Sequence, residues 1–281
     1  MVFKSLRGGM VRRMVGKKSK IIMIILCIFL TILVVEPTQL DVNEIKVQSS
    51  DIPAEFNGTR IAVLGDIHYG EYVNENRVSY IVNQTNEQNA DIIVLVGDYV
   101  TNDENDADTC IKILNNLHAK YGVYGILGNN DPKNKTSELL DESTTITNIR
   151  NDGVWIEKNG ARIRLGGVGD ISTDLQYPRR TTSGTTENDF VIMAYHNPNY
   201  FDLINHSRID LSLTGHTHGG QINFFGYAPW VQKSSKGNRY ISGLYEEDGS
   251  QLVVTNGIGE RIVPFRFMAT PQITIITLES T

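Results

Sequence analysis

Residues 91–98 read DIIVLVGD: five apolar residues from Ile92 to Val96, closed by Gly97 and Asp98. A short apolar run without polar alternation is the pattern of a strand covered on both faces, which requires a sheet with other layers packed on it. The same pattern recurs along the chain. RIAVL (60–64) stops at Gly65-Asp66, GVYGILGN (122–129) at Asn129, FVIMAYHN (190–197) at His196-Asn197, and IDLSLTGH (209–216) at Gly215-His216. Between the first three runs lie two helix-compatible stretches, 74–89, with Val78, Ile81 and Val82 as a narrow apolar stripe, and 106–119. Alternating strand and helix predicts right-handed βαβ units, hence an α/β fold.

The second half changes character. In WIEKNGARIRLGGV (155–168), Asn159-Gly160 lies between two strand-like runs, a strong short-range hairpin signal, and Asp248-Gly249 repeats it in RYISGLYEEDGSQLVVTNG. Residues 170–188 are polar, rich in Thr and Ser, and read as a long loop, while QITIITL (272–278) closes the chain as a strand. No internal repeat recurs at a period of 20 to 50 residues.

With 281 residues, 40% hydrophobic and 21% charged, the chain is long enough to bury a full core and has the composition of a globular protein. Its charge is uneven. Residues 1–35 hold Lys4, Arg7, Arg12, Arg13, Lys17, Lys18 and Lys20 and no acid, so a total of −6 leaves −13 on residues 36–281. An acidic body argues against nucleic acid as a partner. The basic start (1–20) runs into IIMIILCIFLTILVV (21–35), a length between a signal-peptide core and a bilayer span. No small-residue cleavage site follows, which favours an uncleaved transmembrane signal anchor; a removed signal peptide and a buried core helix are the other readings. Under the positive-inside rule the basic end stays in the cytoplasm, residues 36–58 form a tether, and the domain (59–281) lies extracytoplasmic at the cell membrane as a single-pass protein. Cys27 falls in the apolar run and Cys110 in an expected helix, so no disulfide within the domain is predicted.

Each strand candidate ends in side chains that can ligate a metal. These are Asp66 and His68 in LGDIHYG, Asp98 in VGDYV, Asn129 and Asp131 in LGNND, His196 in AYHNP, and His216 and His218 in TGHTHGG. Taken singly, Asp98 reads equally as a helix cap, Asn129 as a turn residue and His196 as a satisfied core histidine. Ligands of open α/β sheets bind beyond the carboxyl ends of the strands, so residues 150 positions apart are predicted to converge. Carboxylate, amide and imidazole donors without cysteine suit Mn, Fe, Zn or Co better than a structural zinc site.

DIH, GDY, GNND, HNP and GHTH, in that order, resemble the five blocks of the calcineurin-like metallophosphoesterases. GHTHGGQ with YISGLY, NGIG, PFRF and PQITIITL is more narrowly similar to the membrane-associated branch of YkuE- and YaeI-like phosphodiesterases, related to UDP-diacylglucosamine hydrolases. The resemblance runs from about residue 60 to the end. It implies a four-layer sandwich, two mixed β-sheets flanked by helices, and two divalent metals: one held by Asp66, His68 and His218, the other by Asn129, His196 and His216, with Asp98 bridging. Such a pair, roughly 3.5–4 Å apart, acidifies a bridging water and clamps the oxygens of an in-line displacement.

One position departs from the family. Asn130 stands where the family has a histidine that helps protonate the leaving group, and an amide cannot act as a general acid. Asp131, which follows, is left without its usual client. The resemblance implies a phosphodiester or pyrophosphate substrate of a lipid, cell-envelope or nucleotide compound, and the departure at Asn130 adds the expectation of a leaving group that needs little protonation. Phosphomonoester hydrolysis, and a catalytically silent binding module on the same fold, are the alternatives. Oligomeric state is not readable from the sequence.

Overall fold

The computed structural model describes residues 2–229, 231 and 239–281, with side chains from Lys18 onward; the side chains of Lys4, Arg7, Arg12, Arg13 and Lys17 lie outside the described residues. A long helix, α1 (Val2–Val35), leads into β1 (Asp41–Ser49) and β2 (Arg60–Leu64). Then follow α2 (Glu75–Glu87), β3 (Ile92–Leu95), α3 (Glu104–Leu114), β4 (Val123–Gly125), α4 (Lys133–Glu142) and β5 (Ile146–Asn148). The second half contributes β6 (Asp152–Lys158), β7 (Ala161–Gly167), a helical turn α5 (Pro178–Thr181), β8 (Val191–Ala194) and β9 (Leu211–Thr214). It ends with β10 (Gly243–Glu247), β11 (Ser250–Val254) and β12 (Gln272–Ser280).

Among the described residues the strands form two six-stranded sheets, in the orders β1-β12-β2-β3-β4-β5 and β10-β11-β9-β8-β7-β6. Both are mixed: β2 to β5 and β7-β8-β9-β11 run parallel, while β12 against β2 and the two hairpins run antiparallel. The sheets face each other across a core of fully buried residues including Ile61, Val63, Ile92, Val94, Ile163, Leu165, Leu211, Leu213 and Ile276. A second core lies between the first sheet and its helices, where Val78, Ile81, Cys110 and Leu114 meet Ala62, Ile93 and Leu95. The runs are apolar at successive positions because both strand faces are covered. Outside the second sheet the flanking layer is thin: α5 and a 3₁₀ segment, Pro198–Leu203, with Tyr200 and Phe201 packing on Val191, Met193 and Tyr195.

The predicted hairpins form as two-residue turns. Asn159 and Gly160 have φ of 53° and 90° between the paired Lys158 and Ala161, and Asp248 and Gly249 have 52° and 81° between Glu247 and Ser250. Two positive φ angles in sequence are what a type I′ turn needs. The strand expected over 122–129 is paired only at Val123–Gly125, after which the chain turns into the site.

The segment 36–58, expected as a tether, is built into the domain. Its residues 41–49 pair in parallel with β12 over nine positions, from Asp41↔Gln272 to Ser49↔Ser280. The sequence hides this because an edge strand covers little: in DVNEIKVQS only Val47 is buried. Because β12 runs antiparallel to β2, β1 does too. The chain therefore passes from α1 into the domain at the edge where β2, β3 and β4 end.

Leu213, fully buried between the sheets, measures the inter-sheet core. Leu213→Ala is expected to cost about 2–5 kcal/mol in urea unfolding, whereas Leu175→Ala, on an exposed side chain, should change stability by no more than about 0.5 kcal/mol.

Candidate metal centre

The parallel strands stop at one edge, and the turns after β2, β3 and β9 are forced open in the same way. Asp66, His68, Asp98, His216 and His218 all have left-handed φ, at 52°, 48°, 56°, 72° and 54°. Non-glycine residues avoid this region, and clusters of them mark sites where the surroundings over-determine the backbone. Glycines make room for the carboxylates: a Cβ on Gly128 would lie 2.2 Å from an Asp98 oxygen, and one on Gly215 2.5 Å from Asp66 Oδ2. Hydrogen bonds lace the strand ends together. The His216 N–H donates to Asp66 Oδ2 at 2.8 Å across the two sheets, and Ile67 N–H to Asp98 O at 2.8 Å within one.

Asp66, His68 and His218 bring one ligand atom each to within 4.8 Å of one another, as do Asp66, Asp98 and His196, and all five residues are buried. Imidazole orientation is fixed from behind. His196 Nδ1 donates to Val96 O at 2.8 Å and His218 Nδ1 to Gly259 O at 3.1 Å, while His68 Nδ1 pairs with Thr101 Oγ1 at 2.9 Å. Each ring therefore turns Nε2 inward: His196 Nε2 lies 3.2 Å from Asp98 Oδ2, and His68 Nε2 lies 3.2 Å from His218 Nε2. A second-layer hydrogen bond on the far nitrogen is the usual arrangement of a metal-ligating histidine. His216 is half-buried with its ring 5.0 Å from that of His196, and Asn129 is half-buried with Oδ1 enclosed and unpartnered.

Electrostatics asks for positive charge here. Burial pushes the Asp66 carboxyl up to about 7, with Asp98 adding to the shift. Burial also opposes ionisation of Asp98, but His196, His68 and the Asn130 N–H outweigh it and hold that carboxyl well below the usual range. Burial drives His68 down to about 4 and His218 well below its ordinary value, so both are neutral lone-pair donors. His196 is the exception: burial disfavours its charged form, yet Asp98 and Asp66 together raise it to about 10. Two buried carboxylates require a counter-charge, and the inward nitrogens, the enclosed Asn129 oxygen and the paired carboxylates fit divalent cations.

Asn130 and Asp131 are both engaged within the protein. Asn130 is buried, and its backbone N–H and Nδ2 donate to Asp98 Oδ1 and Oδ2 at 2.8 and 2.6 Å. Asp131, lacking the family's histidine beside it, is engaged by the backbone. Its carboxylate accepts the backbone N–H groups of Asp98, Tyr99 and Gly128 at 2.8–2.9 Å and of Val100 at 3.3 Å, bolting the turn after β3 to the turn after β4.

Two arginines that no strand end supplies also belong to the site. Arg266, fully buried, donates to Ala269 O at 2.6 Å, Asn256 O at 3.0 Å and Gly259 O, with Glu260 3.3 Å from its Nε; it holds the loop on which the His218 ring leans. Its only trace in the sequence is the tetrapeptide PFRF. Arg261 lines a cleft with Asp98, His216, Thr217, His218 and Ile262, and nothing in local sequence distinguishes it from a surface arginine.

The calcineurin-like phosphoesterase family matches residues 59–220. The metallophosphoesterase YkuE of Bacillus subtilis is 29% identical over 88% of both chains, and a metallophosphoesterase of Campylobacter jejuni is 28% identical over 96% of this chain and 71% of its own. A transmembrane protein with metallophosphoesterase domain from Danio rerio is 28% identical over 85% of this chain, which spans 57% of that protein.

Cation binding should displace protons. At pH 7 His68 and His218 are already neutral, while His196, raised to about 10, carries one proton that a metal must expel. Calorimetric titration of stripped protein with Mn²⁺ in buffers of different ionisation enthalpy is expected to show release of about one proton or more per chain, with affinity rising from pH 6 to 8. Binding without proton release would contradict the assigned charge states.

Proposed function

The chain belongs to the calcineurin-like phosphoesterase family and is a phosphoester hydrolase, and we propose that it cleaves a phosphodiester or pyrophosphate of a lipid, cell-envelope or nucleotide compound at the outer face of a membrane. The observation that carries this reading is the convergence of Asp66, Asp98, His68, His196 and His218, inward nitrogens and carboxylates together, at a cleft that also presents His216 and Arg261.

In the proposed assignment Asp66, His68 and His218 would hold one cation and Asn129, His196 and His216 the other, with Asp98 placed to serve both. Bound there, the cations supply Lewis acidity toward a phosphoryl oxygen and acidify water, the usual contribution of a paired site. The protein does the rest. Asp98 is fixed by two hydrogen bonds from Asn130, so the shared carboxylate is held by an amide rather than by a group that exchanges protons. Asp131 stays on backbone N–H groups and keeps the two turns in register. Arg261 offers a guanidinium from the cleft wall to the non-bridging oxygens of the ester, a pairing that suits planar bidentate contact.

Preference for a pyrophosphate or an aryl ester over an alkyl ester follows from what position 130 lacks. An amide has no proton to give a departing alkoxide, so weakly basic leaving groups are favoured. His206, outside the constellation, lies with its two ring nitrogens 3.1 and 3.0 Å from the carbonyls of Glu247 and Phe201, turned into its own loop.

Membrane association is supported by α1 and the helical turn after it, where Lys18–Thr38 are long and apolar enough to cross a bilayer, with Ile21 to Leu26 exposed, and by the transmembrane relative. The outward orientation rests on the seven cations before the apolar run.

Full-length protein reloaded with Mn²⁺, Zn²⁺, Fe²⁺ or Co²⁺ is expected to cleave bis-p-nitrophenyl phosphate faster than p-nitrophenyl phosphate, with Asp98→Asn lowering kcat at least about 100-fold. Asn130→His should extend the range toward alkyl esters while changing aryl ester rates little. Absence of turnover with two metals bound, or equal wild-type rates on alkyl and aryl diesters, would contradict the reading.

A further inference from the structure

Outside α1, eleven large apolar side chains are exposed among the described residues, and six of them lie on two neighbouring loops: Phe224, Phe225 and Tyr227 on one, Ile262, Phe265 and Met268 on the other. Phe225 and Ile262 are 89% and 76% exposed. The loops are laced through Phe267, whose N–H donates to Gln221 O and whose carbonyl accepts from Asn223 N–H, both at 2.9 Å, and whose ring lies 5.4 Å from that of Phe224. Phe225, Ile262 and Met268 all have left-handed φ, at 54°, 71° and 52°. For a β-branched isoleucine this is a genuine outlier, so strained backbone is spent holding apolar tips outward.

The end of α1 fixes where these loops sit. Glu36 Oε1 and Oε2 accept from the backbone N–H groups of Ala269 and Met268 at 2.6 and 3.0 Å, the Arg266 N–H reaches Leu33 O at 3.3 Å, and the Phe29 and Phe267 rings meet edge to face at 5.1 Å. Arg77 closes the other side, donating to the carbonyls of Pro37, Thr38 and Gln39. The apolar run 21–35 has 15 residues, about 22 Å of helix, whereas a bilayer core is about 30 Å thick. A run shorter than the core cannot leave Phe29, six residues inside its outer end, above the hydrocarbon. The ring that packs on Phe29 is then at membrane level, and so are its exposed neighbours.

We propose that the loops 224–227 and 262–268 are a membrane-seating rim, inserted at the headgroup–acyl boundary of the leaflet from which α1 emerges, so that the metal-centre cleft opens onto the bilayer surface. Ile262 belongs to both features, since it lines the cleft beside Arg261 and His218. A phosphorylated amphiphile would reach the cleft by lateral diffusion with its apolar part still in the leaflet. This last consequence rests on the hydrolytic reading above; the seating itself does not.

The test is depth measurement on the full chain in phosphatidylcholine–phosphatidylglycerol nanodiscs. In a Cys27→Ser background, with Cys110 buried and unreactive, bimane is attached at Phe225→Cys, Met268→Cys, Leu203→Cys or Glu55→Cys. Leu203 is an exposed apolar control at 66%, and Glu55 precedes β2 at the opposite strand ends. Lipid carrying a nitroxide high on the acyl chain is expected to quench positions 225 and 268 at least threefold more than 203 and 55. Quenching at 225 and 268 no greater than at 203 and 55 overturns the proposal. Soluble bis-p-nitrophenyl phosphate is assayed on the same samples: quenching without turnover keeps the seat and removes the hydrolytic reading, while turnover without quenching does the reverse.

Discussion

Two carboxylates, Asp66 and Asp98, buried at the junction of two sheets, are the constraint from which the rest of the structure follows. Ligand atoms within 4.8 Å of each other put their mutual repulsion at about 3–4 kcal/mol for an effective dielectric near 20, before desolvation is added. The protonated His196 ring, 3.2 Å from Asp98 and 3.8 Å from Asp66, offsets part of this. The chain surrounds the pair with what a cation needs: three imidazoles held by their far nitrogens, an amide oxygen, and backbone that reaches them only through left-handed turns. Gly128 and Gly215 are bare because a side chain there would occupy the space of the carboxylates.

Holding that backbone open takes a second set of buried charges with no direct part in the chemistry. Asp131 binds four N–H groups across two turns, and Arg266 binds carbonyls across the loops around 256, 259 and 269. Arg266 lies one residue from Phe267, and Glu36, at the end of α1, caps the N–H groups of Met268 and Ala269. The metal centre and α1 thus share a supporting loop. A displacement of α1 would be felt at Gly259, and so at the nitrogen that orients His218.

Most of the fold was legible because the inter-sheet strands are apolar at successive positions and the hairpin turns are Asn-Gly and Asp-Gly. Strand β1 was not, since an edge strand with one buried residue in nine resembles a linker. The carboxylates and histidines could be placed because strand ends of a parallel sheet converge whatever their separation in sequence. The partners of Asn130 and Asp131 could not, because they depend on which neighbour a side chain finds: Asn130 turns to Asp98, and Asp131 to peptide N–H groups that exist at every residue. Arg261, Arg266 and the apolar tips at Phe225 and Ile262 carry no periodicity, so only their positions in space give them meaning.

The most direct measurement is anomalous diffraction from crystals soaked in Mn²⁺, recorded on both sides of the manganese absorption edge. The account predicts two peaks per chain, roughly 3.5–4 Å apart, with Asp98 between them, His68 and His218 on one, and Asn129, His196 and His216 on the other. A single peak, or a pair that does not share Asp98, would contradict it.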